Sequence, residues 1–437
     1  MTHPDELVGD AHTSDFRWRV HERLVDVGNR MAGQDGERAG ARIVAGAFED
    51  AVLRDVTVEE FEVPGWWRGE ATLGADRRYD GDHEVIGLPG TPDGRVEAPL
   101  VDAGYGSLAE FQETDVEGTI AMVSSDSPPD AERWLHRMEK YAAAADAGAV
   151  GFVFRNHVEG CLPATGEIGY HNRPGPIPAV GISTELGARL RRLDDPVCDL
   201  RVEARNEPTA SRNVEAVVGP DTDGEVLLTA HVDAHDIAEG ANDNGAGCAV
   251  IAEVGRLLTE IEDDLETRVR LLAFGAEEIG LYGADHWAET HDLDAVECVL
   301  NVDGAGTSRS LRVGTNGSTE LETLFEAVGE RFDAPVETSD TISPHGDQWA
   351  FVKEGVPGAI AGAVSEGSGR GWGHTHADTL DKLDVRDLRA ISIQVTAAVY
   401  EAASADRTFT RRTRGEVREA LSPGYERELK RGGRWPY

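Results

Sequence analysis

Apolar and polar residues follow two distinct spacings in the second half of the chain. Short apolar runs recur from residue 225 onward and predict buried strands: EVLLTA, RVRLLAF, AVECVLNV and GAIAGAV. Elsewhere apolar residues recur at about every third or fourth position, which predicts helices in AGCAVIAEVGRLLTEI, ADHWAETH, TELETLFEAVGERF and DVRDLRAISIQVTAAVYEAASA. Strands that alternate with helices form βαβ units. We therefore expect an α/β fold with a mostly parallel central sheet and helices on both faces.

The first half of the chain divides into two regions. Residues 1–67 are expected to form helices separated by the polar, glycine-rich segment GQDGERAG, followed by the alternating strand DVTVEEFEV. Residues 68–207 carry short apolar strands, EVIGL, TIAMV and GFVFR, and a predicted helix over Ala131–Ala147 that Gly148 would end. The segment PGPIPAVGIS and the short helix TELGARLRRL follow. This pattern predicts a separate, smaller and β-rich unit over 68–207.

The order of these middle segments resembles the protease-associated (PA) domain. In that family a strand such as GTIAMV leads to a helix, then to AGAVGFVF and to a strand such as IPAVGIS. The final segment, residues 408–437, is locally basic in an otherwise acidic chain. The sequence leaves open whether this tail is disordered or docks against the acidic body.

Charge is the strongest compositional signal. Asp and Glu number 81 against 42 Lys and Arg, which gives a net charge of −39. Such a surface repels itself at physiological salt, whereas molar salt shortens the Debye length to about 3 Å and screens the repulsion. The composition resembles that of proteins from salt-accumulating haloarchaea, so we expect halophilic adaptation. The same charge argues against nucleic acid and anionic membranes as partners.

Other features narrow the class of protein further. The start of the chain lacks the pattern of a signal peptide, and no apolar run is long enough to span a membrane, so we expect a cytoplasmic location. The four cysteines are far apart and form no CxxC pair, which predicts free thiols and not a disulfide framework. A homo-oligomer is compatible with the sequence, which does not decide the oligomeric state.

Acidic residues and histidines follow the predicted strands of the second half. His231 and Asp233 come after EVLLTA, Asp243 lies in GANDN, Glu277 and Glu278 come after RVRLLAF, Asp303 ends the AVECVLNV segment, and His374 follows the last strand and a glycine-rich loop. Side chains at the carboxyl ends of parallel strands converge at one edge of a sheet. Several buried, unpaired carboxylates would be costly, and a pair of divalent cations removes that cost. The mixture of imidazole and carboxylate suits zinc.

The order HxD, GANDN, GAEEIGLYGA, NVDG and HTHADT resembles peptidase family M28, a family of zinc aminopeptidases and carboxypeptidases. The resemblance implies two Zn²⁺ ions per chain and peptide substrates. Carried over by position, Asp243 would bridge both ions. His231 and Asp303 would complete one site, and Glu278 and His374 would complete the other.

The resemblance also implies a domain organisation. Many M28 members carry an inserted PA domain. Residues 1–67 and 208–407 would then form the peptidase domain, 68–207 the PA-like insert, and 408–437 the basic tail.

Catalytic roles follow from the same resemblance. Glu277 would act as general base on a bridging water and then as general acid towards the leaving amine. Asp233 would orient His231 through the second ring nitrogen of that histidine. Asp378 would brace the ligand loop or the ligand histidine. Family members hold the peptide bond after the bridging aspartate in cis, here Asp243–Asn244, which is rare outside proline.

The chain departs from the family pattern near its last histidine. A tyrosine often precedes that histidine, whereas Gly373 stands here after Trp372, so the residue that polarises the carbonyl is unassigned. The spacing to Asp378 favours His374 over His376 as the ligand. His235 lies near the first ligand and is expected to be a surface residue.

Substrate contacts are expected from three residues. His345 lies in the segment HGDQ, which stands where the family has an SDH-like segment. Trp372 lies in the loop before His374. Arg370 in the same loop would bind a substrate carboxylate if the enzyme were a carboxypeptidase.

We expect hydrolysis that releases the N-terminal residue of short peptides, and several alternatives remain open beside it. A carboxypeptidase or dipeptidase of the same fold is the first. A catalytically inactive, receptor-like binding module would have lost ligand residues that are all present here. A glutaminyl cyclase works with one zinc, and the PA-like unit argues against it. No GxSxG elbow follows a strand, which argues against a serine hydrolase.

Overall fold

The structure is a computed structural model that describes residues 4–334, 336–364, 371–404 and 407–437. It has a mixed α/β fold, which confirms the fold class predicted from the alternating pattern. Within the described ranges, no helix is long and apolar enough to cross a membrane. The four cysteines are free thiols, as predicted.

The first region contains α1 (Pro4–Thr13), α2 (Phe16–Val25), α3 (Asp35–Asp50) and the long strand β1 (Arg54–Gly74). The middle region contains β2 (Arg78–Tyr79), β3 (Val85–Gly87), β4 (Gly94–Asp102), α4 (Leu108–Glu113), β5 (Ile120–Ser124), α5 (Arg137–Asp146), β6 (Gly151–Arg155), β7 (Ala179–Ile182) and α6 (Thr184–Leu190). The long strand β8 (Val197–Val218) then leads into the second half.

The second half contains β9 (Glu225–His231), α7 (Ala246–Thr259), β10 (Arg268–Phe274), α8 (Tyr282–Thr290), β11 (Val296–Val302), β12 (Leu311–Gly314), α9 (Thr319–Phe332), β13 (Val336–Ser339), α10 (Trp349–Val352), β14 (Gly358–Ala363) and α11 (Val385–Ala402). The tail adds α12 (Arg414–Ala420) and α13 (Pro423–Arg431). Short helical turns lie at Ala241–Gly245, Glu262–Asp264, Leu293–Ala295 and Leu380–Lys382.

The strands form one hydrogen-bonded sheet in the order β13-β12-β14-β11-β9-β10-β8-β4-β5-β6-β7-β3, with β1 paired along β8. At its centre β9 pairs in parallel with β10 and β11, and β11 pairs in parallel with β14. The centre is therefore parallel, as predicted. β8 and β12 run antiparallel to their neighbours β10 and β14.

Helices cover both faces of this central sheet. Alternate strand residues point to opposite faces, so Val226 and Leu228 of β9 join a large apolar core with residues of α2, α3, α7 and α11. Leu227 points the other way and joins a second core with Trp287 of α8 and Phe351 of α10. Burial on both faces explains why these strands read as continuous apolar runs.

The middle region is joined to the rest by continuous β-structure. β1 and β8 pair along most of their length, and the predicted boundaries at 67/68 and 207/208 both lie within these strands. The helix predicted over Ala131–Ala147 begins only at Arg137. Its start is displaced because the side chain of His136 caps it by accepting a hydrogen bond from the N–H of Met138.

The basic tail docks against the body, which is the second of the two states that its composition left open. Leu429 of α13 lies in an apolar cluster with Leu281. The guanidinium of Arg434 lies 3.0 Å from the carboxylate of Glu167 in the middle region. The tail therefore has apolar contacts to the second half of the chain and ionic contacts to the middle region.

Candidate metal centre

The carboxyl ends of three neighbouring strands lie side by side at one edge of the sheet. β9 ends at His231, β10 ends before the 275–278 turn, and β11 ends directly before Asp303. The buried strands are apolar, so the polar residues that follow them collect at this edge.

His231, Asp243 and Asp303 form a first group of donor atoms. The Nε2 atom of His231 lies 3.3 Å from Oδ1 of Asp243 and 3.6 Å from Oδ1 of Asp303. One donor atom from each residue falls within 4.8 Å of the other two, which is a spacing that could hold a metal ion.

His235, Glu278 and His374 form a second group with the same spacing. The Nε2 atoms of His374 and His235 lie 3.2 and 3.0 Å from Oε2 of Glu278. His235 is only 4% exposed, so the expectation of a surface residue is wrong. In the loop after β9, the N–H of Ala234 donates a hydrogen bond to the carbonyl oxygen of Arg30 (3.1 Å). This contact holds the loop so that the next residue, His235, faces Glu278.

Asp243 lies between the two groups. Its Oδ1 atom faces His231, and its Oδ2 atom lies 3.2 Å from Nε2 of His374. The peptide bond Asp243–Asn244 is cis, as the family resemblance implies. His376 does not join either group, because its ring nitrogens contact the carbonyl oxygens of Ile237 (2.9 Å) and Asp82 (3.0 Å).

Two buried side chains hold the loop that carries Asp243. The carboxylate of Asp378 accepts hydrogen bonds from the N–H groups of Asn242 (2.8 Å) and Asp243 (3.1 Å), so Asp378 braces the loop. Arg30 donates to the carbonyl oxygens of Val232 (3.0 Å) and Gly240 (2.9 Å) and thereby ties the end of β9 to the same loop. Sequence reasoning missed Arg30, because nothing in its polar surroundings distinguishes it.

Asp233 holds the backbone of Glu277 and Glu278. Its two carboxylate oxygens accept hydrogen bonds from the N–H groups of Glu277 and Glu278, each at 3.1 Å. The Nδ1 atom of His231 lies 3.1 Å from the backbone carbonyl oxygen of Asp233 but 3.7 Å from its carboxylate. The contact that orients His231 therefore comes from the main chain of Asp233, since the side chain is engaged by the 275–278 turn.

The two glutamates differ in their electrostatic surroundings. Burial raises the pKa of Glu277 well above its usual value; the attraction of His231 opposes this rise, and repulsion from Glu278 and Asp347 adds to it. Burial acts to raise the pKa of Glu278 as well, but His235 and His374 hold it well below its usual value. Glu278 is therefore an anion suited to bind a cation, whereas Glu277 can hold and release a proton.

The residues of both groups fit a metal ion. Several buried atoms lack a hydrogen-bond partner within the described chain, namely Nε2 of His231, Nε2 of His374, both ring nitrogens of His235 and Oε1 of Glu278. Leaving one such group unsatisfied costs about 1–3 kcal/mol, and coordination to a cation removes that cost. Imidazole nitrogens and carboxylate oxygens are ligands of zinc.

Sequence reasoning also missed Asp347. It is fully buried, and neither carboxylate oxygen has a hydrogen-bond partner in the part of the chain that the structure describes. Burial raises its pKa well above the usual value. The attraction of His231 opposes this rise, and repulsion from Asp233 and Asp303 adds to it. The signal available in the sequence is the aspartate of the HGDQ segment. Only the histidine of that segment, His345, is predicted from the sequence as a site residue.

The donor groups open into a cavity of about 760 Å³. Its wall includes Glu277 and Glu278, His136, Arg137 and Met138 of the middle region, and Glu428, Leu429, Gly432 and Arg434 of the tail. The predicted substrate contacts Trp372 and His345 also line it. His345 lies 3.1 Å from the carboxylate of Glu428. Arg370 lies outside the described residues.

Comparisons with known proteins agree with this arrangement. The model of peptidase family M28 matches residues 213–399, and the model of the PA domain matches residues 96–190. Carboxypeptidase Q of Xenopus laevis is 26% identical over 360 residues, which cover 78% of this chain and 76% of that protein.

A Bacillus subtilis relative and a solved structure from Bacillus subtilis are similar to this chain over most of their length. Aminopeptidase YwaD is 32% identical over 394 residues, which cover 86% of this chain and 82% of that protein. The solved structure of BSAP, a zinc aminopeptidase, superimposes with a TM-score of 0.71 at 28% identity and covers 90% of this chain and 95% of that one. With this extent of similarity, the chain belongs to peptidase family M28 and carries a PA domain.

Proposed function

We propose that this protein is a two-zinc aminopeptidase that removes the N-terminal residue from short peptides. One observation carries the proposal: two groups of nitrogen and oxygen donors share Asp243, and Glu277 lies beside them in the cavity without belonging to either group. The similarity to a zinc aminopeptidase supports the choice of metal and of the peptide end.

The chain's own residues divide the work of hydrolysis. His231 and Asp303 would hold one zinc ion, Glu278 and His374 the other, and Asp243 both. When bound, the ions supply Lewis acidity that lowers the pKa of water and polarises a carbonyl.

Glu277 takes a proton from the attacking water and delivers it to the nitrogen of the leaving amine. Burial raises the pKa of Glu277 in the metal-free protein, which makes it a stronger base than an exposed glutamate. Asp233 keeps the carboxylates of Glu277 and Glu278 in place by binding their backbone N–H groups.

The charges of the cavity wall favour an amino end over a carboxyl end. A carboxypeptidase needs a cationic group for the terminal carboxylate of its substrate. Of the four described arginine and lysine side chains of the wall, Arg312, Lys382 and Arg434 already pair with carboxylates, and Arg137 donates to the backbone carbonyl oxygen of Glu167 (2.8 Å). The carboxylates near the donor groups would attract a protonated α-amino group instead.

The enclosure of the cavity favours short substrates. The 68–207 region, which we propose as the PA-like insert in a peptidase domain made of 1–67 and 208–407, supplies one wall through α5. The 408–437 tail supplies another through α13. Arg133 joins these walls, because it lies 2.7 Å from Glu428 of the tail. A folded protein would be excluded, whereas a peptide end could enter.

Three related peptides test the choice of end. The first has free termini, the second has the same sequence with an acetylated N-terminus, and the third has the same sequence with an amidated C-terminus. We expect cleavage of the first and third at the N-terminal residue and no cleavage of the acetylated peptide, with release of amino acids measured by mass spectrometry. Cleavage of the acetylated peptide together with resistance of the amidated one would instead establish a carboxypeptidase.

A further inference from the structure

His235 occupies a position that no role assigned above explains. It lies four residues after His231 in the loop that follows β9, and its side chain is almost completely buried. Its Nε2 atom lies 3.0 Å from Oε2 of Glu278. Its ring stands nearly perpendicular to that of His374, with the ring centroids 4.4 Å apart.

The residues directly before and after His235 are both anchored to other parts of the chain. Ala234 is fixed by the hydrogen bond from its N–H to the carbonyl of Arg30 (3.1 Å). Asp236 accepts a hydrogen bond from Nε of Arg68 (2.9 Å), and this partly buried ion pair ties the loop to β1. These contacts lie outside the metal centre, and they direct the ring of His235 towards it.

The ring nitrogens of His235 have no partner of hydrogen-bonding geometry among the described residues. A histidine that served only to fill space would leave two polar atoms buried and unsatisfied, which is unfavourable. A histidine whose nitrogen faces a cation has no such cost. The donor atoms of His235, Glu278 and His374 also lie within 4.8 Å of one another, the same spacing as in the first group.

We propose that His235 is a further protein ligand of the second zinc ion, together with Glu278, His374 and Asp243. The inference rests on the proposed two-zinc function. It makes the two sites unequal, since the second would have two imidazoles and two carboxylates and the first only His231 and two carboxylates.

The inequality has a chemical consequence. Four protein ligands complete the tetrahedral shell of zinc, as in structural sites, whereas three leave a position open for water or substrate. The second site would therefore hold zinc more tightly. The first site would be the more open one and the first to lose its ion to a chelator.

Metal titration of the full chain tests this inference without reference to activity. His235→Phe keeps an aromatic ring of similar size but removes the ligand atoms. The matched control is His376→Ala, because His376 lies in the same region but its ring nitrogens contact the backbone carbonyl oxygens of Ile237 and Asp82. Zinc affinity is measured by competition with a chelator. The visible absorption of the Co²⁺-substituted protein reports ligand number.

We expect the wild type and His376→Ala to bind two ions with unequal affinity. In His235→Phe the tighter site should weaken by at least about 10–100-fold, the loss usual for partners of metal ligands, and the weaker site should be unchanged. Unaltered affinities and an unaltered Co²⁺ spectrum would overturn the inference, and so would equal weakening of both sites. A wild type that binds fewer than two ions would instead contradict the two-zinc function on which the inference rests.

A second variant tests the inference by the appearance of an absorption band, and not by a loss of metal affinity. In His235→Cys a thiolate replaces the imidazole, and a coordinated thiolate gives Co²⁺ a charge-transfer band in the near ultraviolet. Appearance of this band in the Co²⁺-loaded variant supports ligation at position 235, whichever equivalent of Co²⁺ fills that site. A folded His235→Cys protein that binds two Co²⁺ ions without the band contradicts it.

Discussion

Replacement of Glu277 by glutamine tests the proposed proton carrier with little disturbance of its surroundings. The backbone N–H of residue 277 still donates to Asp233, and neither donor group loses an atom. Glutamine has nearly the same shape as glutamate but cannot accept a proton. General acid–base catalysis typically contributes about 10²–10⁴-fold, so kcat should fall by that factor. This corresponds to about 2.7–5.4 kcal/mol in the activation barrier.

The same substitution should not weaken the fold. Burial and repulsion from Glu278 raise the pKa of Glu277, which means that its negative charge is unfavourable in the folded, metal-free protein. A neutral amide removes that cost, so the metal-free Glu277→Gln variant should melt at a temperature no lower than the wild type. Its zinc content should equal that of the wild type.

Glu278→Gln is the matched control, because it alters the neighbouring glutamate and removes a donor atom from the second group. We expect that variant to lose both zinc and activity. Initial rates with an aminoacyl anilide, elemental analysis for zinc and thermal melts in molar KCl provide the three readouts. If Glu277→Gln keeps its zinc and its kcat stays within about tenfold of the wild-type value, Glu277 is not the proton carrier. If it loses zinc, Glu277 is a ligand and the assignment of the two glutamates must be reversed.

Three further predictions concern other parts of the molecule. Asp378→Asn leaves one acceptor oxygen for the N–H groups of Asn242 and Asp243, so zinc affinity should fall by about 10–100-fold; unchanged affinity in chelator competition would exclude this bracing role. Burial lowers the pKa of Lys140 from 10.5 to about 7, because the charged amine is unfavourable in the folded protein. The free energy of unfolding should therefore decrease as the pH falls from 10.5 to 7. The stability advantage of Lys140→Met over the wild type in urea should therefore be greater at pH 7 than at pH 10.5, by roughly 3–5 kcal/mol, and a pH-independent difference would refute this. Finally, with a net charge of −39, melting temperature and activity should both rise between about 0.1 M and 1 M KCl, over which the Debye length shortens from about 10 to 3 Å; a fall in both would contradict halophilic adaptation.

The central sheet could be predicted because its strands are buried on both faces. Val226, Leu227 and Leu228 are all enclosed, so β9 reads as an unbroken apolar run. The end of such a run also marks where polar side chains emerge. For this reason the convergence of His231 and Asp303 could be expected before any coordinates were known.

The path of the loops could not be predicted in the same way. His235 lies in a polar segment, and its burial depends on Arg30 and on the ion pair between Asp236 and Arg68, which are distant in sequence. No local pattern encodes such contacts. Asp347 was overlooked for a related reason, since its burial depends on how the 345–348 segment meets the strand ends.

The tail shows the same limit for charge patterns. Its arginines are basic whether the segment is docked or disordered. Docking depends on partners such as Glu167, which lies far away in the chain and beside the cavity. Composition indicated that the tail differs from the body, whereas only the structure shows that it forms part of the cavity wall.

Anomalous X-ray diffraction at the zinc absorption edge, from crystals of the zinc-loaded protein, tests the central claim most directly. We expect two strong peaks roughly 3.5–4 Å apart. One should lie between His231 and Asp303, the other between Glu278 and His374, with Asp243 in contact with both. A single peak, or two peaks away from these side chains, would contradict a two-zinc peptidase centre.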